Sequence, residues 1–573
     1  MAEFRSSKHS RRKTFHGQYR TIDPGRGLKS GLDSARSSRS RSSRSARTHD
    51  QYVSARAHTR RGGRGPRRRL TGTQVLTRFI LLLVVLAIAA GIVFMLTRPA
   101  SATITVTPED ATITFASSAV ATGTLTVEDL DPGPYSITIE RRGFEPITVT
   151  EELKRGRRAK LEYSLAPQMQ TISVITHPEG AAVTVTLADG QMLSGVTPFE
   201  QQALSGPVTL ALARDGYNPY TREFFLDMPV AMDYFMDPEG QILHGLGTIT
   251  TKGAPKGVSV TPDGSEAWTS ILNGPPSIQI FDPLTGESIG EVDIGEHGAV
   301  EVIFNRAGTL AYTSQMETAK CFEIDVRTRK VLREFDTESA WTKWVTLSPD
   351  EKTLYASNWS GDDVSEIDLA TGTLVRRMRV SNTPRGMYAT ADGKYLFVAG
   401  FDSGYLDRID LATGATTAVF KDGVALRHIV GDERTGRLFI SDMAKDVIWV
   451  HDIASATTTL WVETDEKPNT IDLSPDGTML FVSCRGENNP VSYYIPGPEW
   501  GSILVFDTSN GKPLDALIAG NQPTALDVSD DGRILIFSDF LDNRLRVYEI
   551  PPYATFAAGG GGRYEAHFAE IAK

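Results

Sequence analysis

The sequence predicts a mainly β protein: a C-terminal seven-bladed β-propeller preceded by two small β domains, one transmembrane helix and a disordered basic N-terminus. Three observations support this fold class. A basic leader runs into one uncharged apolar stretch, an alternating pattern then occurs in two copies, and a motif finally recurs every 42 residues or so. The chain has 573 residues, whereas a single domain usually has about 100 to 200.

Residues 1–78 are predicted to be a disordered cytoplasmic tail. They hold 21 Lys/Arg against 4 Asp/Glu, a formal charge of +17, whereas the rest of the chain has 39 against 66, or −27. With so few aliphatic side chains, the tail cannot offset the entropy cost of ordering. We expect it to rest on anionic lipid head groups. Nucleic-acid binding by the Arg-Ser run at 34–47 is the alternative we do not favour.

Residues 79–97 are predicted to form a transmembrane helix. Phe79 to Leu96 are 18 residues without a charge, bracketed by Arg78 and Arg98. At about 1.5 Å per residue they span about 27 Å, enough to cross a bilayer. The positive-inside rule then predicts a single-pass protein of a bacterial cytoplasmic membrane, with its N-terminus cytoplasmic and the rest periplasmic or extracellular. Cleavage after Ala102 is the alternative, and the long leader argues against it.

Two copies of a small β domain are predicted at 101–167 and 170–238. Apolar and polar residues alternate there, as in half-buried strands, and the segment 108–111 recurs 70 residues later at 178–181. The second copy reads PEGA at 178–181, TPF at 197–199 and DGY at 215–217, and therefore resembles the PEGA family of small surface modules. The first copy departs from this pattern at Asp110 and lacks the TP step. The resemblance implies an extracytoplasmic spacer or interaction module.

Residues 243–553 carry the strongest repeat. A hydrophobic residue followed by an acidic one recurs with spacings of 43, 43, 42, 42, 55 and 42. This period, with four short strands per unit, indicates a β-propeller of seven units. The strand at 246–251 has no partner in its own unit, and we expect it to complete the last one and close the ring. The units resemble YVTN propellers in turns such as Pro349-Asp350 and strands such as TLYASN at 353–358 and VSEIDL at 364–369.

The candidate ligand site is the channel mouth, where the first strand of each unit leaves its loop. Four cations around one channel in an acidic body would attract an anion. Solvated side chains whose stems cover apolar surface are the alternative. The same alignment gives Val300 in the second unit and Thr524 in the seventh. The predicted ligand-binding residues are Lys256, Lys343, Arg385, Arg427, His428 and Asn469.

Unit six has about 13 extra residues between Arg485 and Gly501, which we interpret as a recognition loop. Its predicted contact residues are Tyr493, Tyr494 and Trp500, because aromatic side chains give contact area at low entropy cost. Packing across the blade rim is the alternative. A second aromatic group, Trp341, Trp344 and Trp359, is expected to wedge neighbouring sheets together or to stack on sugar rings. Residues 554–573 are predicted to be a flexible tail.

A binding or scaffold protein is expected rather than an enzyme. The chain has only Cys321 and Cys484, no C-x-x-C-H and no G-x-S-x-G motif, so no catalytic residue, metal site or cofactor is predicted. The expected partners are the membrane and a protein, a cell-envelope polymer or a small anion. The alternative is a lactonase-like metal-dependent hydrolase acting at the channel. Its metal ligands would come from Asn358, Asp402, Asp442 and Asp539.

Overall fold

The computed structural model describes residues 72–573, beginning with helix α1 (Gly72–Thr97). Within α1, Leu76–Met95 is long and apolar enough to cross a membrane, and none of it is buried. The predicted helix at 79–97 is therefore part of a longer one. The predicted disordered leader lies, up to residue 71, outside the described residues.

Two small β domains follow α1 and share one topology. The strands of the first are β1 (Ala100–Thr107), β2 (Thr112–Phe115), β3 (Ala119–Thr122), β4 (Thr124–Leu130), β5 (Gly133–Glu140), β6 (Ile147–Leu153) and β7 (Arg158–Ser164). The strands of the second are β8 (Met169–His177), β9 (Ala182–Leu187), β10 (Met192–Val196), β11 (Phe199–Leu204), β12 (Gly206–Ala213), β13 (Tyr220–Leu226) and β14 (Val230–Phe235). The first domain has sheets β4-β1-β7 and β3-β2-β5-β6, and the second repeats this order as β11-β8-β14 and β10-β9-β12-β13.

Side-chain alternation explains the cores of these domains. In β1, Ala102, Ile104 and Val106 are buried, whereas Thr105 and Thr107 between and after them face solvent. The buried side chains of both sheets of the first domain pack into one cluster. In each domain the first and last strands pair in parallel, so the chain enters and leaves through one sheet.

The rest of the chain is built mainly from four-stranded antiparallel sheets, and residues 244–549 contain seven of them. The first six are β16 (Pro255–Val260), β17 (Ala267–Ile271), β18 (Ile278–Phe281), β19 (Ser288–Val292); β20 (Val302–Phe304), β21 (Leu310–Gln315), β22 (Lys320–Asp325), β23 (Lys330–Asp336); β24 (Thr342–Leu347), β25 (Thr353–Asn358), β26 (Asp363–Asp368), β27 (Thr373–Arg379); β28 (Pro384–Ala389), β29 (Tyr395–Gly400), β30 (Leu406–Asp410), β31 (Thr416–Phe420); β32 (Leu426–Asp432), β33 (Arg437–Asp442), β34 (Val447–Asp452), β35 (Thr457–Glu463); and β36 (Pro468–Leu473), β37 (Met479–Cys484), β38 (Ser502–Asp507), β39 (Pro513–Ile518).

The seventh sheet joins the two ends of this region. Its strands are β15 (His244–Thr250), β40 (Pro523–Val528), β41 (Ile534–Asp539) and β42 (Arg544–Glu549). Strand β15 pairs antiparallel with β42, which matches the expectation that the strand at 246–251 completes the last unit. A short 3-10 turn, Phe540–Asp542, connects β41 to β42.

Apolar side chains of successive sheets pack against one another. Tyr312 and Cys321 of the second sheet share a buried cluster with Val345 and Leu354 of the third. Cys321 and Cys484 are both buried and free. The chain therefore uses its thiols to fill space between sheets.

The second small domain contacts the seventh sheet directly. The hydroxyl of Tyr220 donates to the carbonyl of Leu246 (3.1 Å), and Tyr234 donates to that of Gly245 (3.2 Å). The guanidinium of Arg546 lies over the ring of Phe235, 4.1 Å from its centre. The spacer expected from the sequence is thus packed onto the sheet that comes after it.

The C-terminal residues differ from the expected flexible tail. They form α2 (Tyr553–Gly559) and α3 (Gly562–His567). Gly560 and Gly561 both have positive φ, +73° and +76°, so the glycine run makes a tight turn between the helices. As a result Phe556 is fully buried, and His567 Nε2 lies 2.9 Å from Asp465 Oδ2.

Candidate functional site

The first strands of six sheets each begin with an irregularity at the predicted site position. In each of these sheets the pairing register shifts at or next to the second residue of the first strand. A bulge of this kind re-aims the side chain it contains. These second residues are Lys256, Lys343, Arg385, Arg427, Asn469 and Thr524. Repeated local geometry therefore presents all six in the same way.

Hydroxyl groups fix the backbone of three of these positions, and of the aligned Val300, to the preceding sheet. Each is a serine near the end of a second strand, and each donates to a carbonyl on the next sheet. The four bonds are Ser270 to Val300 (2.7 Å), Ser314 to Lys343 (2.9 Å), Ser357 to Arg385 (2.8 Å) and Ser441 to Asn469 (2.7 Å). The site positions are thus held by neighbouring sheets as well as by their own strands.

The second sheet contributes a carboxylate that sequence analysis missed. The aligned residue there, Val300, is buried and apolar, but the next residue, Glu301, approaches Arg385 with an oxygen-to-nitrogen distance of 3.7 Å. The side chain of Arg385 is 3% exposed and that of Glu301 is 12% exposed. Nη1 of Arg385 is buried and has no hydrogen-bonding partner within residues 72–573.

The cations of the site perturb one another. Burial is the main cause that lowers the pKa of Lys256, and the charges of Arg427, Arg385, Arg485 and Lys343 lower it further. The pKa of Lys343 is lowered in the same way by burial and by Arg385 and Arg427. A protonated lysine placed beside several arginines is unfavourable because like charges repel. We call these five residues, Lys256, Lys343, Arg385, Arg427 and Arg485, the cation cluster.

Glu301 is the carboxylate whose charge acts within this cluster. Burial raises its pKa to about 7, and the charges of Arg385, Arg427 and Lys256 offset part of that rise. The carboxylate is therefore held near the point where it gains or loses a proton at neutral pH.

Aromatic rings line the cation cluster. Nζ of Lys343 lies 3.7 Å from the ring centre of Trp359 and 5.8 Å from that of Trp341. Nζ of Lys256 lies 4.8 Å from the centre of Phe540. Such contacts stabilise a cation through the negative face of the ring. The tryptophans predicted on the third unit therefore surround a lysine of the site, except for Trp344, which packs against His428 (4.4 Å between ring centres).

His428 and Asn469 connect parts of the scaffold. Nδ1 of His428 accepts a hydrogen bond from the backbone N–H of Ile471 (3.1 Å), which links the fifth and sixth sheets. Burial, and then the charge of Arg427, lower the pKa of His428 to about 3, so its ring is neutral at physiological pH. The amide oxygen of Asn469 accepts from Nε of Arg427. Both residues thus orient their neighbours.

The predicted recognition loop is partly folded back. Tyr494 is 52% exposed, and its ring lies 4.1 Å from that of Tyr493. Trp500 is held by the C-terminal residues, because its backbone N–H donates to the carbonyl of Ile571 (2.8 Å). Arg485, at the start of the loop, acts on the cation cluster through its charge, and sequence analysis missed it. Its position directly after a second strand, in the longest loop, was the available signal.

The four residues considered as metal ligands of a hydrolase do not form one site. Asp442 accepts from the backbone N–H groups of Val424 and Ala425 (both 3.0 Å). Asp539 pairs with Arg544 (3.0 Å), Asp402 is exposed, and Asn358 donates to Asp363 (2.8 Å). Among residues 72–573, no group of three or more His, Cys, Asp or Glu side chains is arranged to hold a metal ion.

The chain is similar to a domain family, to a curated relative and to solved structures. Residues 100–168 match the PEGA domain. The antigen Lp49 of Leptospira interrogans is 34% identical over 259 residues, which are 44% of this chain and 57% of the relative. The chain thus spans little more than half the length of the curated relative it matches. The solved structure of hydrazine synthase from Kuenenia stuttgartiensis is similar with a TM-score of 0.45 and 17% identity, over 53% of this chain and 97% of that one.

The PEGA match confirms the PEGA-like prediction for the first copy. It falls on the first copy, which has the weaker motif because Asp110 replaces the glycine. The two copies have the same strand order, so this fold tolerates a change in its signature turn.

Proposed function

We propose that the chain is a membrane-anchored extracytoplasmic binding protein whose seven sheets form a closed β-propeller, and that the cation cluster at its channel mouth binds an anionic ligand. The single observation that carries the ligand assignment is the convergence of Lys256, Arg385 and Arg427, from three different sheets, on one carboxylate, Glu301. Lys343 and Arg485 act on Lys256 and so extend the same cluster.

Contacts between first strands support the closed ring. Each first strand contacts the first strand of the next sheet, and β40 of the seventh sheet contacts β16 of the first. Backbone N–H groups add to this: Val528 donates to Asp472 of the sixth sheet (2.9 Å), and Val260 of the first sheet donates to Asp527 of the seventh (2.7 Å). Closure of this kind removes exposed sheet edges. The ring extends over residues 243–553 in this proposal and belongs to the YVTN type.

Charge balance supports anion binding. The five basic residues outnumber the acidic groups that act on them, Glu301, Glu317 and Asp402. They leave an excess of positive charge in a confined, partly desolvated space, where Coulomb interactions are stronger than in water. Arg385 also presents a buried N–H group that lacks an acceptor among the described residues. Leaving such a donor unsatisfied is costly, and a carboxylate or phosphate oxygen would satisfy it. Guanidinium groups suit these oxyanions because their donors match the geometry of the anion.

The N-terminal part supports display outside the cytoplasm. In this proposal α1 is a single-pass anchor, residues 1–78 are the cytoplasmic tail on anionic lipid head groups, and the modules at 101–167 and 170–238 are spacers. The PEGA match and the similarity to an antigen support an extracytoplasmic role. A cell-envelope polymer or a protein that carries carboxylate or phosphate groups is the partner class that fits the cation cluster.

Calorimetry on the full-length protein in detergent micelles tests the function. We expect wild-type protein to bind sulfate or a sugar phosphate, and we expect Lys343→Met to bind the same anion with an affinity at least about tenfold lower. Methionine keeps the apolar stem, so the packing against Trp359 is conserved in part. Arg533→Met is the matched control, because it removes one cation from a side chain that is 79% exposed and lies in a turn. Equal affinities of the two variants would contradict the proposed site.

A further inference from the structure

Glu301 is in an unusual position for a protein that binds anions. Its carboxylate lies 3.7 Å from Arg385. A Cβ atom at Gly257 would lie 2.8 Å from the carbonyl oxygen of Val300 and 3.0 Å from both Cα and Oε2 of Glu301. Glycine at 257 therefore leaves room for the backbone of residues 300–301 and for the carboxylate together. The side chain points to the same cations that an incoming anion would contact.

We infer that Glu301 is a built-in counter-ion that competes with the ligand for the cation cluster, and that its protonation increases the affinity of the site for anions. The inference rests on the proposed function and adds its regulation. The ligand class it implies is a dianion, such as a sulfate, a phosphate monoester or a pair of carboxylates, because such a group neutralises the cluster more fully than one carboxylate does.

The charged groups around Glu301 determine whether anion affinity rises or falls with pH. Arg385 on the fourth sheet, Arg427 on the fifth and Lys256 on the first act on it directly. Lys343 and Arg485 act on Lys256, while Glu317 and Asp402 act on Lys343. The buried ring of His428 stays neutral and adds no charge. Glu301 is therefore the group of this set that changes from neutral to negative as pH rises through about 7.

Competition and proton binding are linked. A negative Glu301 repels an oxyanion bound to the same cations, so a bound anion favours the neutral acid, and the neutral acid favours the anion to the same extent. Anion binding no longer depends on this proton when Glu301 is already protonated before the anion binds. The affinity ratio between a variant that is permanently neutral at 301 and the wild type must therefore be near one at acidic pH and large at alkaline pH.

Glu301→Gln provides this variant, because glutamine has nearly the same shape and no charge. Sulfate is the probe, since it remains a dianion throughout the range used. We would measure sulfate affinity by calorimetry at about pH 5.5 and about pH 8 at constant ionic strength, with full-length protein in micelles. We expect Glu301→Gln to bind about tenfold more tightly than wild type at the higher pH, and both proteins to bind alike at the lower one. Taking the ratio of the two proteins cancels the pH response of Lys256 and Lys343 to first order.

The outcomes separate this inference from the function on which it rests. If the wild type binds sulfate and the variant binds equally or more weakly at the higher pH, Glu301 serves to position Arg385 and is not a competitor. If neither protein binds sulfate or a sugar phosphate at either pH, the proposed function fails as well.

An infrared measurement covers the case in which the variant does not fold. Addition of sulfate to wild-type protein at neutral pH should convert one carboxylate to the acid, which gains a protonated-carboxyl band in the difference spectrum. Proton uptake by lysine produces no such band. A spectrum without the band, recorded under conditions where sulfate binds, would overturn the inference.

Discussion

Replacing Phe556 with alanine tests whether the C-terminal segment is an integral part of the region built from seven four-stranded sheets. Phe556 is fully buried in a cluster with Leu514 and Leu517. Emptying such a site costs about 3 to 5 kcal/mol. Helices of seven and six residues have little stability of their own, so the loss should fall on the local equilibrium that holds residues 553–573 in place.

Hydrogen exchange measures that equilibrium directly. A loss of about 3 kcal/mol corresponds to more than a hundredfold faster exchange of protected amides in this segment. The backbone N–H of Trp500 should respond in the same way, because its acceptor is the carbonyl of Ile571. Phe568→Ala is the control, since this phenylalanine lies in the same segment but is 50% exposed. Exchange that is equally fast in Phe556→Ala and wild-type protein would refute this packing of the segment.

Three further substitutions have defined outcomes. Asp472→Asn should flatten the fall of melting temperature between about pH 5 and pH 8. Burial raises the pKa of Asp472 to about 7, so the stability that its protonated form contributes is complete below about pH 4 and is lost as pH rises through 7. The loss is at most about 1.4 kcal/mol of unfolding free energy per pH unit. Thr197→Val should destabilise the second small domain by about 1 to 3 kcal/mol, because Oγ1 of Thr197 accepts from the N–H groups of Gly180 and Ala181 (both 3.0 Å). Thr197→Ser keeps the hydroxyl and should retain most of that stability when both variants are melted. Lys256→Met should raise the melting temperature without ligand and weaken sulfate binding, since it removes a cation whose pKa is lowered by burial and by like charges.

The strands were predictable because their signals are local. The pattern puts TLYASN at 353–358, and β25 has those bounds; it puts VSEIDL at 364–369, and β26 is Asp363–Asp368. Alternating burial and the turn residues between strands act over a few residues, and a repeat averages out individual errors. The second residue of six of the first strands was also predictable, because it lies at nearly the same offset before the turn residues of each unit.

Glu301 and Arg485 were not predictable in this way. Glu301 lies one residue beyond the repeat position, and only the side chain of Arg385, 84 residues later in the chain, shows that it belongs to the site. Arg485 lies in the insertion, where the repeat gives no register. Contacts between distant sheets depend on the tertiary arrangement, which a pattern with a period of about 42 residues does not contain.

The C-terminal segment shows a second case in which amino-acid composition alone does not predict the structure. Ala557-Ala558 followed by four glycines resembles a flexible linker, since glycine has the largest conformational entropy to lose. In the folded protein two of these glycines adopt the positive φ values that a tight turn needs, and burial of Phe556 offsets the entropy. Whether a glycine run is a linker or a turn depends on the residues after it, and here Tyr564 and His567 reach the sixth sheet.

The cation cluster has a composition that folding alone would not favour. Arginine and lysine at the first strands could have been replaced by apolar residues, as Val300 shows in the second sheet, where the same position is filled without charge. Instead the cations disfavour one another's charged forms, and the aromatic rings and the carboxylates of Glu301, Glu317 and Asp402 only partly compensate. Partly buried like charges become favourable when an opposite charge joins them. This charge balance of the unliganded cluster is the basis of our proposal that an anion completes the site and that Glu301 supplies a removable part of the negative charge until then.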